Sequence, residues 1–303
     1  MHIAIIGFGL IGASAAKAWR AAYDAQPALG VLTLTAMDRH APTLAYAREH
    51  HLVDEVTDSI DVAVRDADMI VVAVPPGVVR GVFRDISLYA KTNAIVSDVA
   101  SVRAPVVAAA MRSLRPDLLT HYVPLHPIAG SEKSGVEAAR TTLFQGAAAV
   151  LTPLDGTDPV AIATVSQLWE LTGARIVTMS PDTHDRVYAL VSHAPHLLAY
   201  AMMRAAITSD VGAEALKAAG GGFRDFTRIA QADPWLWKDI FIANRRALLD
   251  TLDAFEGALA QLREAVETED VSHMVALLSE ARDARAAMAK LLPPNPTEEK
   301  PKA

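Results

Sequence analysis

Short apolar runs recur along the first 178 positions of the chain, at 2–6, 31–37, 69–74, 94–98, 122–125, 147–151 and 175–178. They are rich in Val, Ile, Leu and Ala and too short for helices. Between them, near 11–22, 43–49, 104–114 and 159–171, apolar positions return every three or four residues, as on one face of a helix. Strand and helix in alternation predict a parallel sheet covered by helices. Beyond Pro181 the pattern changes. Ala, Leu, Met, Glu and Arg fill 182–208, 235–263 and 270–292, stretches too long for strands and made of good helix formers. The expected organisation is an α/β domain over 1–178, an all-α domain over 179–292, and a disordered tail over 293–303, where prolines and charges have nothing to pack.

A chain of 303 residues, 51% of them apolar, is long enough for two cores. The long Ala- and Leu-rich helices carry more apolar surface than one small bundle hides, which predicts a homodimer paired through the second domain. A formal charge of -7 argues against a nucleic-acid surface, since that affinity rests on Lys and Arg neutralising phosphates. With no cysteine, disulfides, thiolate metal sites and a cysteine nucleophile are excluded. No basic-then-apolar leader precedes the first run, and no apolar run approaches the roughly 18 to 20 residues that span a bilayer. A soluble cytoplasmic protein with small-molecule partners and no membrane association is the expectation.

Candidate chemistry begins where the first strand meets Gly7, Gly9 and Gly12. G-x-G-x-x-G between an apolar strand and an Ala-rich helix is the fingerprint of a Rossmann-type dinucleotide-binding domain. The first glycine permits a tight turn, the second admits pyrophosphate to the backbone, and the third allows close helix packing. The N–H groups of Leu10 and Ile11 open the helix that faces the anion. Asp38 ends the second strand, 26 residues beyond Gly12, somewhat past the usual spacing of about 20 for the ribose-binding acid; an extended loop over 24–30 fits the surplus. A carboxylate there favours NAD. NADP is the alternative, because Arg39 can reach a 2′-phosphate or stack on adenine. Val74 and Pro75 leave the strand at which the sheet order should reverse, beneath the cofactor or as a plain rigid exit.

Two further loops share that rim. Ser97, Asp98 and Ser101 follow one buried strand, with Ser101 either facing the cofactor or capping the next helix. His126 follows another, opening a turn that contains Glu132 and Lys133. In the second half, Arg224 and Arg228 lie four apart and either grip an anion or pair with Asp225 or Asp233 as a solvated face. His193 and His196 are three apart, but two imidazoles without a carboxylate pair do not make a zinc site, and no metal is expected. His184 and Asp185 read locally as a helix start, and Trp235 and Trp237 as core.

Together, 97–101, 126–135, 221–230, His184-Asp185, 192–196 and 233–237 closely resemble the prephenate/arogenate (cyclohexadienyl) dehydrogenase family of tyrosine biosynthesis, over roughly residues 2 to 260. The resemblance implies NAD(P)-dependent oxidative decarboxylation of prephenate to 4-hydroxyphenylpyruvate, or of arogenate to tyrosine. It implies His126 as the base that takes the 4-hydroxyl proton and Ser101 as the group orienting that hydroxyl. Arg228 would clamp a substrate carboxylate, His196 would line the pocket, Glu132 would sit at its mouth and Trp237 would close one wall. Arg224 stands where some members carry lysine. Feedback by tyrosine would have to act at the active site, since no further module remains. Two other readings stand beside this one: a β-hydroxyacid or imine-reducing dehydrogenase, whose machinery is usually a helix-borne lysine or aspartate, and a non-catalytic dinucleotide sensor.

Overall fold

The computed structural model of the chain describes residues 1–130 and 133–291. Glu132 and the tail over 293–303 lie outside the described residues. Among those described, β1 (His2–Ile6), β2 (Thr33–Met37), β3 (Glu55–Thr57), β4 (Met69–Val72), β5 (Ile95–Asp98), β6 (Tyr122–Pro127), β7 (Ala148–Leu151) and β8 (Arg175–Thr178) form one sheet, ordered β3-β2-β1-β4-β5-β6-β7-β8. Helices α1 (Leu10–Ala25), α2 (Ala41–Glu49), α3 (Ile60–Val64), α4 (Val79–Tyr89), α5 (Ala104–Ser113), α6 (Pro116–Thr120) and α7 (Pro159–Leu171) connect them. The chain winds outward from β1 to β3 and then restarts beside β1 with β4. That reversal opens a crevice at the carboxyl ends of β1 and β4, where doubly wound sheets take their ligands.

Alternate strand residues point to opposite faces, and both faces are apolar because both are covered. Ile3, Ile5, Leu34, Val71, Val123 and Leu125 pack against α1 and α7, where the Trp19 ring meets Trp169 edge-on at 5.8 Å and its indole N–H donates to the Leu168 carbonyl at 2.8 Å. Ile6, Ile70, Val72 and Val96 pack on the other face against Phe83 of α4 and Val106 of α5.

Two sequence expectations are corrected. The sheet is not wholly parallel, because β7 runs antiparallel to β6 and β8 follows β7 in parallel. A parallel crossover needs a covering helix, whereas the described part of the segment between β6 and β7 holds only a 3-10 turn, Val136–Ala138. The surplus residues before Asp38 are not an extended loop: α1 itself continues to Ala25, followed by a 3-10 turn at Pro27–Leu29. The elements β3, α3 and α6, three to five residues long, are too short to show in the pattern. α4 repeats apolar residues at Val79, Phe83 and Ile86 and is a helix the sequence expectation lacks.

After Thr178 every described element is helical: α8 (Pro181–Tyr188), α9 (Ala194–Thr208), α10 (Gly212–Lys217), α11 (Gly221–Thr227), α12 (Pro234–Ala243), α13 (Arg245–Glu267) and α14 (Val271–Leu291). A single wide π-turn, Ala189–His193, joins α8 to α9. Met1–Leu248 form one compact unit, and a second begins at Leu249. The first unit extends past the change of secondary-structure class because Trp237 and Ile240 of α12 are buried in the second face of the sheet's core. On the second unit, Phe255, Leu259, Val266, Val275 and Leu278 are exposed.

The turn after β1 is sterically closed. Gly7 has φ +92°, and a Cβ on Gly12 would stand 2.5 Å from the Gly7 carbonyl oxygen and 2.9 Å from Ile5. Gly12→Ala is expected to destabilise the fold by about 1 to 3 kcal/mol, the usual range for overpacking, read as a lower urea midpoint with an unchanged m-value.

Candidate active site

The glycine turn fits a dinucleotide phosphate. Gly7 is pressed between Ala73 and Val74, the residues that leave β4. A Cβ on Gly9 would meet nothing within 4 Å, so the chain is bare where an anion must approach. Gly9 caps α1 without a side-chain bond, and no acidic residue occupies the first turn to compete for Leu10 and Ile11. Asp38 braces the turn: one carboxylate oxygen accepts from the Phe8 N–H at 2.8 Å and the other from the His40 N–H at 2.9 Å. Lone pairs remain on both oxygens for ribose hydroxyls. Arg39 is exposed beside it, Val74 is half-buried and Pro75 is exposed on the opposite lip.

His126 lies within β6, paired in register with Val150, rather than beyond the strand end. Its Nδ1 is 2.9 Å from His184 Nε2, and His184 Nδ1 is 2.9 Å from Asp185 Oδ1. This chain fixes its own protons. The carboxylate can only accept, so His184 Nδ1 donates to it; His184 Nε2 is then a lone pair, so His126 Nδ1 donates to His184. His126 Nε2 is left as an unprotonated base. Burial first, then the charges of His184, Arg103 and His193, hold His126 well below the usual imidazole range. His184 is fully buried, and burial outweighs the opposing hydrogen bond from Asp185 to depress it too. Burial would raise Asp185, but His184 and the N–H groups of Ala104 and Arg103 outweigh it and keep the carboxyl low. The Tyr188 ring packs edge-on to His126 at 5.1 Å.

Ser101 is half-buried in the turn between β5 and α5. It is not the helix cap that local sequence allows. Asp185 fills that role from a distant helix, accepting from Arg103 N–H at 2.7 Å and Ala104 N–H at 2.8 Å. Asp185 therefore serves the dipole of α5, while Ser180 caps its own helix.

The π-turn and α9 bring in two more imidazoles. His193 is buried, with Nδ1 3.0 Å from the Asn244 amide nitrogen, which also donates to the Asp185 carbonyl at 2.8 Å. Burial lowers its pKa to about 4. His196 stacks on Trp237 at 3.6 Å and bonds the Ser192 carbonyl through Nδ1, leaving Nε2 free. His196 is also depressed, first by burial, with a contribution from the Arg228 charge that places this guanidinium within electrostatic reach of it. Arg228 is exposed in the turn after α11, and Arg224 is exposed one helical turn earlier. Asp233 caps α12 through the Trp235 N–H. Trp237 is almost buried, whereas Trp235 is 73% exposed under Lys238.

Sequence reading passed over Asp185, His184, Tyr188 and Asn244 as individual contributors. The one local signal was the adjacent His184-Asp185 pair, and nothing near it shows that His126 is its partner. A cavity of about 560 Å³ between α1 and α7, lined by Tyr23, Gln145 and Gln167 among others, contains none of these residues.

Comparison with known proteins places this arrangement. Residues 29–178 match the family described as prephenate dehydrogenase, nucleotide-binding domain, and residues 180–280 match prephenate dehydrogenase, dimerization domain. The chain is 38% identical over 290 residues to the cyclohexadienyl dehydrogenase of Zymomonas mobilis, covering 95% of this chain and 96% of that one. It is 32% identical to the prephenate dehydrogenase of Bacillus subtilis, over 93% and 75% of the two chains. Its fold is similar to the crystal structure of prephenate dehydrogenase from A. aeolicus in complex with hydroxyphenyl propionate and NAD+, with TM-score 0.87, 32% identity, and coverage of 95% and 98%. The chain belongs to the prephenate dehydrogenase family.

The buried neutral imidazoles make the fold acid-sensitive. Once unfolded, His193 returns to about 6.5, so between there and about 4 the unfolded chain binds more protons and stability falls as pH falls. His193 alone accounts for roughly 3 kcal/mol across that window. Urea unfolding at pH 7 and pH 4.5 checks this: wild type loses stability, and His193→Gln, which keeps an acceptor for Asn244, loses distinctly less. Equal losses would contradict it.

Proposed function

We propose that this chain catalyses the NAD-dependent oxidative decarboxylation of prephenate to 4-hydroxyphenylpyruvate and CO2, with arogenate, yielding tyrosine, as a second substrate of the same chemistry. The observation that carries this reading is the Asp185–His184–His126 chain, which leaves a single basic nitrogen on the ligand-binding rim of a dinucleotide fold. The family supports it, as does a related structure holding NAD+ and hydroxyphenyl propionate. Asp38 supports NAD over NADP, since a 2′-phosphate would face a carboxylate fixed by the N–H groups of Phe8 in the glycine turn and of His40.

Gly7, Gly9, Gly12 and Asp38 would hold a dinucleotide by its phosphates and ribose, and its nicotinamide would supply the hydride acceptor for the carbinol carbon. His126 Nε2 takes the 4-hydroxyl proton as the C–O bond becomes a carbonyl. Loss of the ring carboxylate as CO2 leaves its bonding electrons in the ring, which becomes an aromatic phenolate, and His126 returns the proton to that oxygen to give the phenol. His184 spreads the positive charge that arrives on His126 toward Asp185, which is ionised and cannot reorganise because three donors hold it. Ser101 orients the hydroxyl, Arg228 holds a carboxylate by its planar fork, and His196, fixed on Trp237 with its proton on the nitrogen facing Ser192, presents a neutral acceptor nitrogen. Arg224 adds positive charge at the entrance. Tyrosine, which repeats the ring and carboxylate of the product, would compete for the same site.

The exposed apolar residues of α13 and α14, on a segment matched by a dimerization domain, support a homodimer. No described helix is long and apolar enough to cross a membrane, in keeping with the cytoplasmic setting we infer.

Absorbance of NADH at 340 nm, with prephenate and separately with arogenate, tests the reaction. His126→Asn should lower kcat by about 10²-fold or more with KM little changed, and Arg228→Ala should chiefly raise KM. A depressed His126 also requires that the acidic fall in kcat/KM lie below pH 6.5. Full turnover by His126→Asn sinks the assignment of the base. For assembly, sedimentation should give a dimer that Leu259→Arg combined with Leu278→Arg converts to monomer, and a monomeric wild type refutes it.

A further inference from the structure

The Arg103 guanidinium touches no group used in the chemistry above, yet the side chain is one of the largest with no solvent exposure. Burying a guanidinium is costly unless its donors are placed; here both terminal nitrogens are placed, while Nε–H has no partner among the described residues. Its fork is bidentate on Asp98, itself 0% exposed, at 2.7 Å and 3.2 Å. Asp98 is completed by the Tyr122 hydroxyl at 2.6 Å and the Ala100 N–H at 3.0 Å, and Arg103 donates as well to the Ala100 carbonyl. The side chain thus closes the turn from 98 to 103 on the carbonyl of Ala100, the residue before Ser101, and through Asp98 on its N–H. The Arg103 main chain meanwhile donates to Asp185, the end of the chain that orients His126. No other described residue is hydrogen-bonded both to the Ser101 turn and to that chain.

We infer that Arg103 is a positioning residue, which sets Ser101 through its guanidinium and the Asp185–His184–His126 alignment through its backbone, so that hydroxyl and base meet one substrate oxygen. A residue serving only to fill the core would leave the two unlinked. Lysine keeps the charge but loses the planar fork, and so cannot hold Asp98 and Ala100 together.

The inference rests on His126 being the base, so its test has an arm that needs no turnover. In the ligand-free protein, the imidazole N–H proton between His184 and Asp185 should give a low-field proton NMR signal, assigned by its loss in His184→Gln. Arg103→Lys is expected to shift or broaden that signal while circular dichroism stays that of wild type. Where prephenate is turned over, Arg103→Lys should lower kcat by roughly 10-fold to 100-fold, the scale of a small misplacement, with KM for NAD unchanged. In a Ser101→Ala background it should cost distinctly less, because the two substitutions remove one arrangement. An unmoved signal, or full additivity with Ser101→Ala, overturns the inference. If Arg103→Lys does not fold, Tyr122→Phe removes one support of Asp98 and is read in the same way. If wild type does not oxidise prephenate, the proposed reaction fails and the NMR signal still decides the role of Arg103.

Discussion

The carboxylate of Asp185 accepts from the N–H groups of Arg103 and Ala104 and from the ring of His184, and its own main-chain carbonyl receives Asn244. A helix N-terminus favours an anion by up to about 2 kcal/mol in partly buried geometry. Here that preference docks the first helix after the sheet onto α5, instead of binding a ligand. The consequence is chemical as well as mechanical. An ionised acceptor with no freedom to turn dictates the tautomer of His184, and through it that of His126. Three neighbouring imidazoles, His126, His184 and His193, are then kept neutral chiefly by burial, and the imposed tautomer leaves the lone pair of His126 on Nε2.

Much of the α/β half was legible because a strand covered on both faces must be apolar throughout. β1, β8 and α7 fall on the expected residues. What failed to show were elements fixed by neighbours rather than by their own composition. Glu55–Thr57 is a strand only because β2 offers an edge, and β7 reverses direction because no helix is available to carry the chain back over the sheet.

The site divides along the same line. The glycine turn and Asp38 announce themselves since each acts through local backbone geometry. His126, Arg228 and His196 were reached through resemblance, and the contacts found here connect His196 to Trp237 and to the charge of Arg228. Ser101 could not be told from a helix cap by local reading, because the cap comes from residue 185. The buried pairing of Asp98 with Arg103 was equally hidden. Five residues apart on a chain, an acid and a base look like surface, and only Tyr122 and the absence of solvent turn them into a locked turn.

The wide turn at Ala189–His193 has a geometric effect that reaches beyond its five residues. His184 and His196 are twelve positions apart, and at 100° per residue an unbroken α-helix would splay them by about 120°. Absorbing one residue in the wider loop brings that offset to roughly 20°, so both rings emerge along one side of a nearly continuous rod. Rewinding the segment as regular α-helix with every residue kept would swing one imidazole by about 100° around the axis, whereas deleting one residue together with the wide turn would leave the two in phase. The wide turn works as a phase correction, and sequences that align through this segment with a one-residue gap should hold both histidines on one side by regular winding alone.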